Sequence, residues 1–181
     1  SLRRAVEFLK NSMIDGLVTG PINKNNIQNS DFDFKGHTDF LDTYFNGDAL
    51  MFMISSKIKI ALLTEHVPLN KVVDQITTEL IKNRVQLVEN SLKNDFMIKK
   101  PKIAILSINP HVGDGGVIGK DDGVILIPTI QEISKSGIDI SGPYASDSFF
   151  GTNMYKSFDA IIATYHCLLY TSPSPRDNRT S

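Results

Sequence analysis

The chain has 181 residues, 41% hydrophobic and 22% charged, with a formal net charge of −1. That is an ordinary globular balance, sized for one large domain or two small lobes that bury roughly 70% of the unfolded surface. No basic stripe is present, which argues against a nucleic-acid partner but not against a small anionic substrate, and no apolar run approaches the roughly 18 residues of a membrane span.

Cys167 is the single cysteine, so no internal disulfide forms. That is compatible with a reducing cytosol, and a cytoplasmic location is expected. The chain opens Ser1-Leu2-Arg3-Arg4 without Met or a secretory pattern. The expectation is therefore a piece of a longer protein.

Residues 3–13 read as an amphipathic helix with Ala5, Val6, Leu9 and Met13 on one face. Asp15-Gly16 ends it, Leu17-Val18-Thr19 reads as a short strand, and Gly20-Pro21 turns into a second helix at 22–29. A polar and aromatic loop, 30–36, leads to a short helix from Thr38 to Tyr44. Residues 49–54 and 58–64 form apolar runs joined by Ser55-Ser56-Lys57, short enough for a hairpin. Residues 71–93 carry one long helical pattern or two consecutive ones. Residues 103–108 form a near-continuous apolar strand of the kind buried on both faces. Residues 122–136 read as a helix closed near Gly137, 138–141 as a short strand followed by a Gly142-Pro143 turn, and 160–164 as another buried strand. Strands alternating with helices predict an α/β class with a substantially parallel sheet, made mixed by the hairpin. After His166 the composition changes: 171–181 is polar and Pro-rich and cannot extend a core.

Ligands in open α/β sheets bind beyond the carboxyl ends of the strands. Three of the four histidines fall there. His66 follows strand 58–64, His111 follows strand 103–108, and His166 follows strand 160–164. Neutral imidazole is the commonest ligand of borderline metals such as Zn²⁺, and three such ligands leave a position open for water or substrate. The plainer alternative is three exposed or hydrogen-bonded loop histidines. His37 and Thr38, in Gly36-His37-Thr38-Asp39-Phe40-Leu41, offer donors near a helix N-terminus, where anions bind; the alternative is a simple helix cap at Thr38. Gly113, Gly115, Gly116 and Gly119 make 109–119 a glycine-rich loop that lets the backbone approach a ligand or is merely flexible. It matches neither a P-loop nor a dinucleotide fingerprint. Asp147 is the candidate general base or a partner to a ligand histidine, against the commoner solvated aspartate. Asn23 and Lys24 stand at a helix start, suited to an anion or simply solvated.

The ordered set of Gly20-Pro21-Ile22-Asn23-Lys24, Gly36-His37-Thr38-Asp39-Phe40-Leu41, His66-Val67-Pro68-Leu69, Asn109-Pro110-His111-Val112-Gly113-Asp114-Gly115-Gly116, Gly142-Pro143 with Asp147, and Tyr165-His166 resembles the PdxA family, the 4-hydroxythreonine-4-phosphate dehydrogenases of pyridoxal phosphate (vitamin B6) synthesis. The resemblance covers residues 1–166. It implies a two-lobed mixed-sheet fold of the isocitrate and isopropylmalate dehydrogenase type, which binds NAD without the usual fingerprint. It also implies a homodimer with the metal site at the subunit interface. His66, His111 and His166 match the family's ligands for one divalent metal (Zn, Co, Ni, Fe or Mg). His37 and Thr38 match its phosphorylated-substrate pair. The implied reaction is oxidation of 4-hydroxythreonine 4-phosphate by NAD (or NADP), with decarboxylation to 3-amino-2-oxopropyl phosphate. Asp147 is the candidate base.

Related alternatives are a dehydrogenase of phospho-threonate or phospho-erythronate, a three-histidine metal-dependent hydrolase, and a non-catalytic metal- or phosphate-binding domain. The family pattern continues Asp-Gln-Gly after Tyr165-His166, where this chain has Cys167-Leu168-Leu169-Tyr170. The family's first Gly-Asp-Pro strand and its downstream Lys, Asn and Arg have no match, and Arg176 and Asn178 are left unassigned. Residues 167–181 are accordingly expected to be a non-family tail, disordered or from unrelated coding.

Overall fold

The computed structural model describes residues 2–21, 23, 34, 36–45 and 49–171. The expected helix at 22–29 with Lys24, most of the 30–36 loop, and the tail 172–181 lie outside the described residues. The chain divides into two compact units, 1–49 and 50–181.

In the first unit, α1 (Leu2–Lys10) and α2 (His37–Tyr44) supply a small apolar cluster. Val6 and Phe40 are its buried centre, with Leu2, Phe34, Leu41 and Tyr44 packed around them. The Phe34 ring meets Phe40 edge-on at 5.2 Å. α1 ends at Lys10, earlier than the periodicity predicts, and Met13 is left 65% exposed. The strand expected at Leu17-Val18-Thr19 does not form. No strand lies beside it among the described residues of this unit, and Val18 is 98% exposed. A short apolar run with neither a ladder nor a face to bury does not hold an extended conformation.

The second unit is built on a five-stranded sheet in the order β1-β2-β5-β3-β4. β1 (Phe52–Ile54) pairs antiparallel with β2 (Lys59–Leu62), forming the expected hairpin. β2, β5 (Ala160–Ala163), β3 (Ile103–Leu106) and β4 (Ile140–Tyr144) are mutually parallel. The central strands are apolar throughout because alternate side chains point to opposite faces, both covered. Ala61, Leu63, Ile103, Ile105, Ala160 and Ile162 share one core cluster. Ile60, Leu62, Ala104, Leu106, Ile161 and Ala163 share the other.

The first face is covered by α4 (Thr78–Asn94), which follows the short α3 (Val72–Gln75), and by α5 (Ile127–Lys135). Thr77 caps α4 by accepting a hydrogen bond from the Leu80 amide at 3.1 Å. Ile81, Val85, Val88 and Leu92 recur at helical spacing and are fully buried. A π-helical turn, Asp122–Leu126, leads into α5. The second face is covered by Phe149 and Phe150 of α6 (Ser146–Gly151) and by Tyr155. Gly142-Pro143 lies inside β4 rather than in a turn after it. Residues 166–171 form a 3-10 turn whose Leu168 and Leu169 pack against the second cluster. No described helix is long and apolar enough to cross a membrane.

Candidate functional site

Because β2, β5 and β3 run parallel and side by side, their carboxyl ends share one edge of the sheet. Neighbouring strands are about 4.8 Å apart, so three of them span roughly 10 Å. His66, His166 and His111 follow these strands and are all exposed. The fourth parallel strand, β4, delivers Asp147 to the same edge.

Two of the histidines sit in the left-handed backbone region, His66 at φ 52° and His111 at φ 52°. Non-glycine residues there are uncommon and cluster at functional sites. Beside His66, the Glu65 carboxylate accepts from the Met51 amide at 3.3 Å and faces the Arg84 guanidinium at 3.9 Å. Left-handed values run on through His111, Val112, Gly113, Asp114 and Gly115.

The start of that run is held by Asp122, whose side chain is fully buried. It accepts from the Ile108 amide at 2.7 Å, the Asn109 amide at 2.9 Å and Asn109 Nδ2 at 3.0 Å. Asn109 Nδ2 also reaches Asp121 at 3.2 Å. Gly119 passes so close that a Cβ there would lie 2.5 Å from the Asn109 carboxamide, so a side chain at that position would displace it. Sequence reasoning missed Asp122: an aspartate opening a helix reads as a solvated partner of the helix dipole.

A cavity of about 180 Å³ is lined in part by Ser107, Asn109, His111, Ser146, Asp147 and Tyr165. It unites two sequence-predicted residues, His111 and Asp147; His66 and His166 do not line it. Asp147 is exposed, and its Oδ1 accepts from the Ser148 amide at 2.7 Å. Tyr165, named in the sequence only as part of the Tyr165-His166 motif, had no role assigned to it there. Burial raises its phenol pKa above the usual value, with smaller contributions from Cys167 and Asp122. The phenol is therefore protonated at neutral pH and able to donate a hydrogen bond. A second hollow of about 660 Å³ is lined by His111, Asp114, Gly116, Lys120 and neighbours on the glycine-rich loop.

In the first unit, His37 and Thr38 are half-buried in the opening turn of α2. The cap position falls on Gly36 rather than Thr38. Among the described residues, no three His, Cys, Asp or Glu side chains of this one chain form a group that could hold a metal.

The model of the family described as pyridoxal phosphate biosynthetic protein PdxA matches residues 1–167. A 4-hydroxythreonine-4-phosphate dehydrogenase of Bacteroides thetaiotaomicron is 42% identical over 168 residues, covering 92% of this chain and 46% of that protein. Its counterpart from a Sulfurihydrogenibium species is 40% identical, covering 91% and 51%. The crystal structure of a Klebsiella pneumoniae 4-hydroxythreonine-4-phosphate dehydrogenase superposes with a TM-score of 0.82 at 24% identity, over 92% of this chain and 50% of that one. A putative Salmonella typhimurium enzyme of the same name gives 0.79 at 27%, over 92% and 51%. The chain spans about half the length of these relatives. With nearly all of its length matched by the family model, and with the mixed α/β fold of the solved members, the chain belongs to the PdxA family.

Proposed function

We propose that the chain is part of a metal-dependent, NAD-linked dehydrogenase that oxidises 4-hydroxythreonine 4-phosphate and decarboxylates it to 3-amino-2-oxopropyl phosphate in pyridoxal phosphate synthesis. The observation carrying this reading is the position of His66, His166 and His111 directly after three adjacent parallel strands in a chain of the PdxA family. Three imidazoles are chemically suited to one divalent ion. No such group closes among the described residues of one chain, and the reading has a second copy complete it, as a homodimer with the metal at the interface. The family-like region is taken as 1–166, with 167–181 outside it, and the location as cytoplasmic. The fold type is that of the isocitrate and isopropylmalate dehydrogenases, consistent with a sequence that has no dinucleotide fingerprint.

His66, His111 and His166 would hold the ion, which when bound supplies Lewis acidity toward the substrate's hydroxyl. His37 and Thr38, at the N-terminus of α2, bind the phosphate through side-chain donors in a favourable helix field. Asp147, in the cavity with His111, accepts the proton of the C3 hydroxyl, directly or through one water. NAD, when bound, would supply the ring that accepts the C3 hydride. The resulting β-keto acid loses CO₂. Tyr165, protonated on the cavity wall, donates a hydrogen bond to an oxygen of the reacting acid.

The direct test is an assay of the full-length protein with each candidate substrate, NAD and a divalent metal, read as NADH formation. His111→Ala should lower the rate at least as far as losing an outer-shell partner does, about 10- to 100-fold. Turnover of only phospho-threonate or phospho-erythronate would reassign the substrate. Metal-dependent phosphate release without NAD would replace the dehydrogenase by a hydrolase. Binding without turnover would leave a non-catalytic domain.

A further inference from the structure

Beyond the last backbone pairs of β2, β5 and β3 stand three buried hydroxyl residues. Thr64 is 6% exposed, Thr164 0% and Ser107 4%. Thr64 Oγ1 donates to the Thr164 carbonyl at 2.8 Å. Thr164 Oγ1 donates to the Ser107 carbonyl at 3.0 Å. The Ser107 amide donates to the Tyr144 carbonyl at 2.8 Å, and Ser107 Oγ donates to the Asn109 carbonyl at 2.8 Å. The bonds thus run in one direction across four strands, β2 to β5 to β3 to β4.

Satisfying a buried hydroxyl does not require this arrangement. Each hydroxyl has one hydrogen to donate, and several others among the described residues spend it locally. Thr129 donates to Ile125, Ser136 to Ile133 and Thr152 to Ser148, all within their own helical turns. Thr64 and Thr164 instead donate to the neighbouring strand at the level where the strands part into loops. Each lies two residues before a histidine, in Thr64-Glu65-His66 and Thr164-Tyr165-His166. Ser107 begins the segment leading to His111.

We infer that Thr64 and Thr164 are positioning residues: their cross-strand hydrogen bonds tie the three histidine-bearing loops together, so that these loops hold or loosen as one unit. Its consequence for metal binding rests on the functional reading above; the tie itself does not.

The test uses the full chain and compares Thr164→Val, which keeps the branched shape and removes the donor, with Thr164→Ser, which keeps the donor. Amide hydrogen exchange is followed at residues 64–67, 107–112 and 165–167 without metal. Thr164→Val should speed exchange in all three segments, by roughly five- to tenfold for the loss of one net hydrogen bond. Thr164→Ser should stay near wild type. Acceleration confined to 165–167, or equal acceleration in both variants, overturns the tie. If Thr164→Val does not fold, Thr64→Val decides: it should loosen 64–67 and 165–167 together, and loosening of 64–67 alone overturns the tie. Zn²⁺ titration of the same proteins separates the two ideas. Tenfold weaker binding in Thr164→Val, restored in Thr164→Ser, supports positioning. Equal binding overturns positioning toward the metal. A wild type that binds no Zn²⁺ overturns the metal reading, while the exchange result still judges the tie.

Discussion

The loops after β2 and β5 carry His66 and His166 close behind buried threonines, whereas the loop after β3 carries His111 into a left-handed run that extends to Gly115. The short loops are held by neutral hydroxyl bonds, each worth about 0.5–1.5 kcal/mol net. The long loop must oppose strain. His111, Val112 and Asp114 are non-glycine residues with positive φ, at about 1–2 kcal/mol each. Its anchor is correspondingly stronger: a buried carboxylate taking two backbone amides and a carboxamide, with charge-assisted bonds of about 1.5–3 kcal/mol each. More left-handed backbone thus goes with a stronger anchor: His66 alone has positive φ in the loop after β2, against three non-glycine residues in the loop after β3.

The most severe way to break that comparison is Asp122→Ala. It leaves two backbone amides without their acceptor, one of them buried. A loss of about 3–5 kcal/mol is expected from urea unfolding. A loss below about 1 kcal/mol would mean that the left-handed run holds itself.

Gly119→Ala is gentler and more selective. Its Cβ would strike Asn109 and push that side chain off Asp121 and Asp122, for about 1–3 kcal/mol. Exchange should rise downstream of the Ser107 tie, at 109–118, and stay unchanged at 64–67, 107–108 and 165–167 while that tie holds. Spread of the effect to all three segments would erase the distinction between the two kinds of loop.

Much of this was legible in the sequence, for identifiable reasons. Residues 103–108 and 160–164 read as buried strands because both faces of the sheet are covered, so no polar alternation interrupts them. The 49–64 hairpin, the helices around 71–93 and 122–136, and the strand-end positions of the histidines follow from periodicity and the strand-end rule. Gly142-Pro143 misled because that pair usually marks a turn. Here the β3–β4 register shifts between Ala104 and Leu106, and Gly142 passes where a Cβ would strike the Ile105 carbonyl. Leu17-Val18-Thr19 misled because local apolarity says nothing about whether a partner strand exists. In the site, Asp122 was hidden because its role depends on burial brought about by tertiary packing. The repeated Thr-x-His after apolar runs was a visible signal, and its meaning needed the parallel pairing of β2 with β5.

The smallest expected effect concerns Tyr165, which sits between His166 and the threonine that ties it. Its phenol pKa is raised in the fold, first by burial and then by Cys167 and Asp122. The folded state therefore retains a proton that the unfolded chain releases near the usual value of about 10. Stability from this source is complete below that pH and is lost as pH rises through the folded value, because there the unfolded chain binds fewer protons. Tyr165→Phe removes the ionisable group while keeping the ring. Its stability should fall less steeply than that of the wild type between about pH 9.5 and 11, as measured by urea unfolding across that range. In the same variant, absorbance at alkaline pH should show one phenolate fewer than in the wild type. Parallel pH slopes in the two proteins would show that Tyr165 titrates as a solvated phenol. It would then lose its standing as a buried group of the cavity wall, and the short loop after β5 would be held at the sheet edge by Thr164 without help from its own aromatic neighbour.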